Sequence, residues 1–289
     1  MRPRVVVQRA SDLGEGSLWD AELGRLLWVD IVQRRVLVHD PSAGTCMELD
    51  AGDVVGTVVV ARNGRLVVAL RDRIAVLDAE SGAITDLVAV GPTRAGLRCN
   101  DGKCDPRGRL WIGTMGEPAT AALYCVEPDL TVSRRLDGVT ISNGLVWNRD
   151  ATRFYYVDTP TQRIDAFDYD ADSGQIANRR PVLEIPRDRG APDGMTIDDR
   201  DRLWVALWGG ASVIQVDPDS GRVLEEIAVP ARNVTSCAFG GGDLESLYIT
   251  TARVGTDDEA LARYPDAGSL FRVELAARGV PGQRFDRDC

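Results

Sequence analysis

The 289-residue chain contains a single histidine, His39 in "VLVHDP". A Ser-His-Asp or Cys-His machine would have to use that one residue, and no nucleophile motif surrounds it. Any hydrolytic chemistry is therefore expected to rest on carboxylates and a metal. Long apolar runs are missing too, and none approaches the roughly 18–20 residues that a membrane helix needs. The leading "MRPRVVVQRASDLGEG" holds only a three-residue apolar run, too short for a signal peptide, so a cytoplasmic location without membrane contact is expected. Cysteine pairs of the CxxC type are absent. Cys46, Cys99, Cys104, Cys125, Cys237 and Cys289 are scattered, which predicts free thiols rather than a disulfide framework or a cysteine metal site. Positive charge is in deficit, with a net charge of -10 and a pI near 4.8. Such a surface repels phosphate backbones and argues against nucleic acid as a partner.

No window gives a long amphipathic helix. What the chain does have is repetition. The segments "GRLLWVD" (24–30), "GRLVVAL" (64–70), "GRLWIGT" (108–114), "TRFYYVD" (152–158), "DRLWVAL" (201–207) and "ESLYITT" (245–251) follow one pattern, at steps of 40, 44, 44, 49 and 44 residues. Each is rich in aromatic and β-branched residues and follows a turn cluster such as "RNG", "DPRG" or "DDRD", so each reads as a strand leaving a hairpin. A second strand follows each at a similar distance, and several of these end in Asp or Pro with Ser-Gly, which suits a tight turn into a further strand. Six copies of about four strands predict one all-β domain over 1–289, a six-bladed β-propeller with four-stranded antiparallel blades around a central channel. A pair of β-sandwiches would explain the strands but not the period. The leading "RVVVQ" is expected to supply the outer strand missing from the last copy, closing the ring and hiding both edges.

In such a ring, equivalent positions of every blade surround the channel. Nine or ten residues upstream of each Arg or Ser at the head of the repeat stand Glu15, Val55, Asn100, Asn143, Asp193 and Ser236. Four of the six carry a carboxylate or carboxamide oxygen, and glycines beside several of them allow close backbone approach. Any one Asn-Gly or Asp-Gly is more often a turn than a ligand. Oxygen donors recurring at one offset point instead to a hard-cation site for Ca²⁺, Mg²⁺ or Mn²⁺. Two other motifs yield to plainer readings. "DYDADSGQI" (168–176) resembles an EF-hand loop, but Gly174 comes one place late and no Glu closes it, so a blade hairpin is expected. The sequon "NVT" (233–235) carries no meaning in a cytoplasmic protein.

The set "LGEGSLW", "RCNDGKCDPRGRLWIGTM", "ISNGLVWN", "PDGMTID" and "CAFGG" resembles the SMP-30/gluconolactonase/regucalcin-like family, from about residue 12 to about residue 275. The resemblance implies a six-bladed propeller. It also implies one divalent ion, Ca²⁺ or else Zn²⁺, Mn²⁺, Mg²⁺ or Fe²⁺, held by the residues matching Glu15, Asn143 and Asp193. It further implies substrate contacts at Arg98 and Asn100, and at Glu117 in a loop shorter than the family's. The implied activity is hydrolysis of a small sugar lactone to an aldonic acid, with Asp193 as general base. The plainer reading of Arg98 is a rim salt bridge to Asp101 or Asp105. Competing functions are a promiscuous lactonase or organophosphate hydrolase, and a calcium-binding regulatory or scaffold propeller without turnover. A closed propeller needs no partner for stability, so a monomer or weak homo-oligomer is expected.

Overall fold

A computed structural model describes residues 2–91 and 96–289. Its strands form six four-stranded antiparallel sheets. Five are consecutive meanders. The sixth takes three strands from the end of the chain and completes itself with Arg4–Val7, which pairs antiparallel with Leu270–Glu274. The ring is therefore closed by its first strand, as "RVVVQ" predicts.

The innermost strand of each blade is the one preceding the repeated segment: Gly14–Asp20, Val55–Val60, Arg98–Cys104, Ser142–Trp147, Ala191–Ile197 and Asn233–Gly240. Each touches the inner strands of both neighbouring blades, so together they wall a channel. Burial falls outward. The inner strand Gly14–Asp20 is buried throughout, whereas the outer strand Thr45–Asp50 of the same blade is exposed at nearly every residue. Apolar side chains fill the wedges between blades, which is why the repeated segments are apolar on both faces. Trp111 and Trp204, both fully buried there, contribute roughly 3 kcal/mol each.

The turns that follow the inner strands lie at the lower end of the channel, and aspartates organise them. In blade five, Asp198 accepts hydrogen bonds from Arg200 N and Arg202 N, both at 2.9 Å, and from Trp204 Nε1 and Gln215 Nε2, both at 3.0 Å. In blade three, Asp105 accepts from Trp111 Nε1 at 2.9 Å and Tyr169 Oη at 2.7 Å and pairs with Arg109. Turn clusters such as "DPRG" and "DDRD" are thus both turn formers and anchors for the tryptophan that follows. The EF-hand-like segment is a hairpin, in which the Asp170 carboxylate caps Asp172 N at 2.9 Å and Gly174 turns with φ +63°.

The last fifteen residues, rich in Gly and Arg, run across the lower face from blade to blade. Gly279 bridges Asp198, Arg284 pairs with Asp20, Phe285 N donates to Val60 O at 2.9 Å and Asp286 N donates to Gly108 O at 2.9 Å. The only helix among the described residues longer than a single 3₁₀ turn is Asp258–Arg263, capped by the Asp257 carboxylate.

Candidate functional site

Strand pairing locates the ring of channel-facing positions independently of counting. In every blade one rung joins the start of the inner strand to the end of the repeated segment: Gly14↔Asp30, Val55↔Leu70, Cys99↔Thr114, Ser142↔Asp158, Pro192↔Leu207 and Val234↔Thr251. The register shifts just after this rung in five blades and one residue later, after Glu15↔Val29, in the first. The residue that follows the rung is Glu15, Gly56, Asn100, Asn143, Asp193 or Thr235. Two expectations are corrected. Val55 packs in the core rather than on the ring, and its place is taken by Gly56, where a Cβ would meet Asn100 O at 2.5 Å. In blade six Thr235, not Ser236, holds the ring position. Its hydroxyl is committed to Gly14 O at 2.6 Å. The hairpin turns are the reason. Each bulge adds one residue in every blade, but the turns beyond differ in length, from 105–109 in blade three to 240–246 in blade six, so a fixed offset slips by one.

Glu15, Asn143 and Asp193 are buried, at 6%, 4% and 3% exposure. Asn143 and Asn100 are in direct contact, with Asn100 Nδ2 donating to Asn143 Oδ1 at 3.1 Å and to Ser142 O at 2.8 Å. The other side of the Asn143 amide is held by Thr159, whose Oγ1 accepts from Nδ2 at 2.9 Å. Arg98 Nη1 donates to Asn100 Oδ1 at 2.7 Å and to Cys99 O at 2.9 Å. Arg98 makes no ion pair among the described residues. The rim salt bridge to Asp101 or Asp105 is therefore not formed, and Asp105 is spent on Arg109. Glu117 stands on the loop after Leu110–Met115, at the channel end that Arg98 also occupies, but it is exposed. Its carboxylate has no hydrogen bond or ion pair among the described residues, so the structure does not bring it into the cluster.

Electrostatics single out the two carboxylates. Burial raises the Asp193 carboxyl well above its usual range, and the nearby Asp101 carboxylate pushes in the same direction. Burial likewise raises Glu15, aided by Asp193 and Asp101. Asp101 itself is raised by burial. Like charges gathered out of water are costly without a cation. Among the described residues Asp193 Oδ1 is buried without a hydrogen-bond partner. Most buried polar atoms find partners, so an orphaned carboxylate oxygen near a second buried carboxylate suits a cation ligand. Every donor is oxygen, which fits a hard divalent ion. Among the described residues no group of three or more His, Cys, Asp or Glu side chains gathers as a metal cluster. The set at hand is instead two carboxylates with a carboxamide.

Two residues that motif reading passed over belong to the same region. Asp101 follows the ring residue Asn100 and presses on both carboxylates. Lys103, the only lysine in the chain, reaches across the channel from blade three to blade five, where its Nζ donates to Met195 O at 2.8 Å. Its uniqueness was the available signal. Below it lies a cavity of about 140 Å³, lined by Ser17, Trp19, Trp147, Thr196 and Pro281 of the tail among others. None of the three ring oxygens reaches that lower cavity.

The chain as a whole has relatives among known proteins. The SMP-30/Gluconolactonase/LRE-like region matches residues 13–253, and the chain belongs to that family. It is 39% identical to regucalcin of Danio rerio over 282 residues, covering 96% of this chain and 95% of that protein. It is also 39% identical to a putative sugar lactone lactonase of Bacillus subtilis (strain 168), covering 96% of both. The crystal structure of a calcium-binding protein, regucalcin, from Agrobacterium tumefaciens superposes with a TM-score of 0.93 at 26% identity, covering 98% of this chain and 96% of that one.

Proposed function

We propose that this protein hydrolyses sugar lactones to aldonic acids at the upper end of the channel, using one divalent cation held by Glu15, Asn143 and Asp193. The observation that carries the reading is the orphaned Asp193 Oδ1, buried beside a second carboxylate whose proton affinity is raised by the same burial. The names of the relatives, a sugar lactone lactonase and a calcium-binding regucalcin, support lactone and cation respectively.

A cation bound there would draw electron density from the lactone carbonyl and acidify a water molecule beside it. Asp193 has two carboxylate oxygens, so one can serve as ligand while the other takes the proton of the attacking water. Arg98 and Asn100 line the entrance just above. The Arg98 guanidinium is already braced by Cys99 O and Asn100 Oδ1, which leaves its remaining N–H groups to hold sugar hydroxyls. Burial pulls the Arg98 guanidinium down from its usual value, while Glu15 holds it up. Glu117 would act as a peripheral acceptor for a sugar hydroxyl rather than in the chemistry. The ion is Ca²⁺, Zn²⁺, Mn²⁺, Mg²⁺ or Fe²⁺. We take the chain to work as one domain, in the cytoplasm, as a monomer or weak homo-oligomer.

The test is a panel of aldonolactones assayed after chelation and reconstitution with single divalent ions. Turnover above spontaneous hydrolysis with at least one ion is expected. Failure with every lactone and ion would leave the second reading, a cation-binding propeller without turnover, which the doubly anionic donor set also favours. An organophosphate or other ester turned over faster than every sugar lactone would move the site to a promiscuous hydrolase.

A further inference from the structure

Three donors define the proposed cation site, but only one has two unlike ends. A carboxylate presents oxygen whichever way it turns. A carboxamide turned the wrong way presents N–H groups and repels a cation. Something must therefore choose the orientation of Asn143, and the surrounding hydrogen bonds contain enough logic to identify it.

Thr159 Oγ1 lies 2.9 Å from Pro192 O and 2.9 Å from Asn143 Nδ2. A backbone carbonyl can only accept, so the single hydroxyl proton of Thr159 goes to Pro192 O. The hydroxyl then meets Asn143 only as an acceptor, and the Asn143 group facing it must be NH₂. This sends Oδ1 to the opposite side, where Asn100 Nδ2 donates to one of its lone pairs and the other is left for a cation. One hydroxyl thus sets the amide of blade four and grips the backbone carbonyl immediately before Asp193 of blade five.

Thr159 is itself firmly held. It opens the 3₁₀ turn Thr159–Thr161. The preceding Asp158 carboxylate accepts from Thr140 N and from Ile141 N, the latter at 2.9 Å, and Thr159 N donates to Ile141 O at 3.1 Å. Thr161 Oγ1 closes the turn on Asp158 O at 2.7 Å. The loop that carries the hydroxyl is in this way stapled to the loop that leads into Asn143.

The repeat makes the placement more telling. The residue directly after the repeated segment is Ile31, Arg71, Met115, Thr159, Trp208 or Ala252 in blades one to six. A hydroxyl stands there only in the blade whose proposed ligand is an amide next to it. A turn-forming role would have no reason to respect that correspondence.

We infer that Thr159 is a positioning residue of the cation site, fixing the orientation of Asn143 from the side opposite Asn100 and the approach of Asp193. The inference rests on the cation reading above. Residues that orient a ligand typically change affinity by about 10- to 100-fold when removed. Calorimetric titration of the chelated full-length protein with Ca²⁺ and with Mn²⁺ tests it. Thr159→Val, which keeps the volume and removes the hydroxyl, should weaken binding about 10- to 100-fold. Thr159→Ser should restore most of the affinity. The metal-free Thr159→Val protein should keep the wild-type circular dichroism spectrum and a single cooperative melt. A second background separates orientation from packing. In Asn143→Asp the ligand has no wrong way round, so adding Thr159→Val there should cost much less affinity than it costs the wild type. Equal affinity of wild type and Thr159→Val, or an undiminished loss in the Asn143→Asp background, overturns the assignment while leaving the cation site intact. Absence of any binding by the wild type overturns both, and so distinguishes failure of the site from failure of its positioning residue.

Discussion

Asp193 and Asp198 sit at the two ends of one blade's inner wall, five residues apart, and both are nearly inaccessible at 3% and 1% exposure. Asp198 accepts four hydrogen bonds, two from backbone N–H groups, one from a tryptophan and one from a glutamine. Asp193 has an oxygen with none. Burial alone therefore says little about what a carboxylate is for. The lower aspartate has its charge satisfied by the fold and knits a turn to the core. The upper one is left in want of positive charge, and the neighbouring Asp101 carboxylate makes that want stronger.

The same substitution at both positions should give opposite results. Asp193→Asn should lower lactone turnover by about a hundred- to ten-thousand-fold, the range for a removed general base. It should also raise the melting temperature of the metal-free protein, because it relieves a buried like-charge contact. Equal loss of activity and stability would erase the contrast. Asp198→Asn places a donor against Trp204 Nε1 and Gln215 Nε2, which are donors themselves. It should destabilise the fold by about 2–3 kcal/mol in urea titrations, with turnover per folded molecule unchanged.

A smaller effect concerns pH. The folded-state pKa values of Glu15 and Asp193 are raised, so the native metal-free protein binds protons more tightly than the unfolded chain. Their contribution is most favourable below the ordinary carboxylate values near 4 and is lost as pH rises through the raised native values. Melting curves in chelator should show wild type losing stability relative to Asp193→Asn as pH increases from about 4. A divalent cation should flatten that difference, because it favours the charged carboxylates. A pH-independent gap would mean that neither burial nor like charge raises the Asp193 carboxyl in the folded protein. The smallest effect is expected at the exposed Glu117, where Glu117→Gln should raise KM a few-fold with kcat held. A fall in kcat would bring that residue into the chemistry.

The ring architecture was legible because every blade repeats the same strand chemistry at a nearly constant step, and the closing strand because one blade lacked its fourth. The ring positions of Glu15, Asn143 and Asp193 were legible for the same reason. Val55 and Ser236 were misplaced because the hairpin turns differ in length from blade to blade, which only pairing reveals. Thr159 and Lys103 belong to contacts between blades, at sequence separations of 33 and 92 residues, and no local pattern announces them. The tail was opaque because its grip on the lower face is mostly backbone hydrogen bonding and ion pairs rather than apolar periodicity.

The seam of the ring adds a consequence of its own. Blade six is sewn from both ends of the chain, and blade one, which carries Glu15, abuts it directly. Asn143 and Asp193 come from blades on the far side of that seam. A cation gripping all three would act as a clasp, slowing the rare openings in which Arg4–Val7 peels away from its partner. Loading the ion would then lengthen the lifetime of the closed ring, and amide exchange in those four residues would report it.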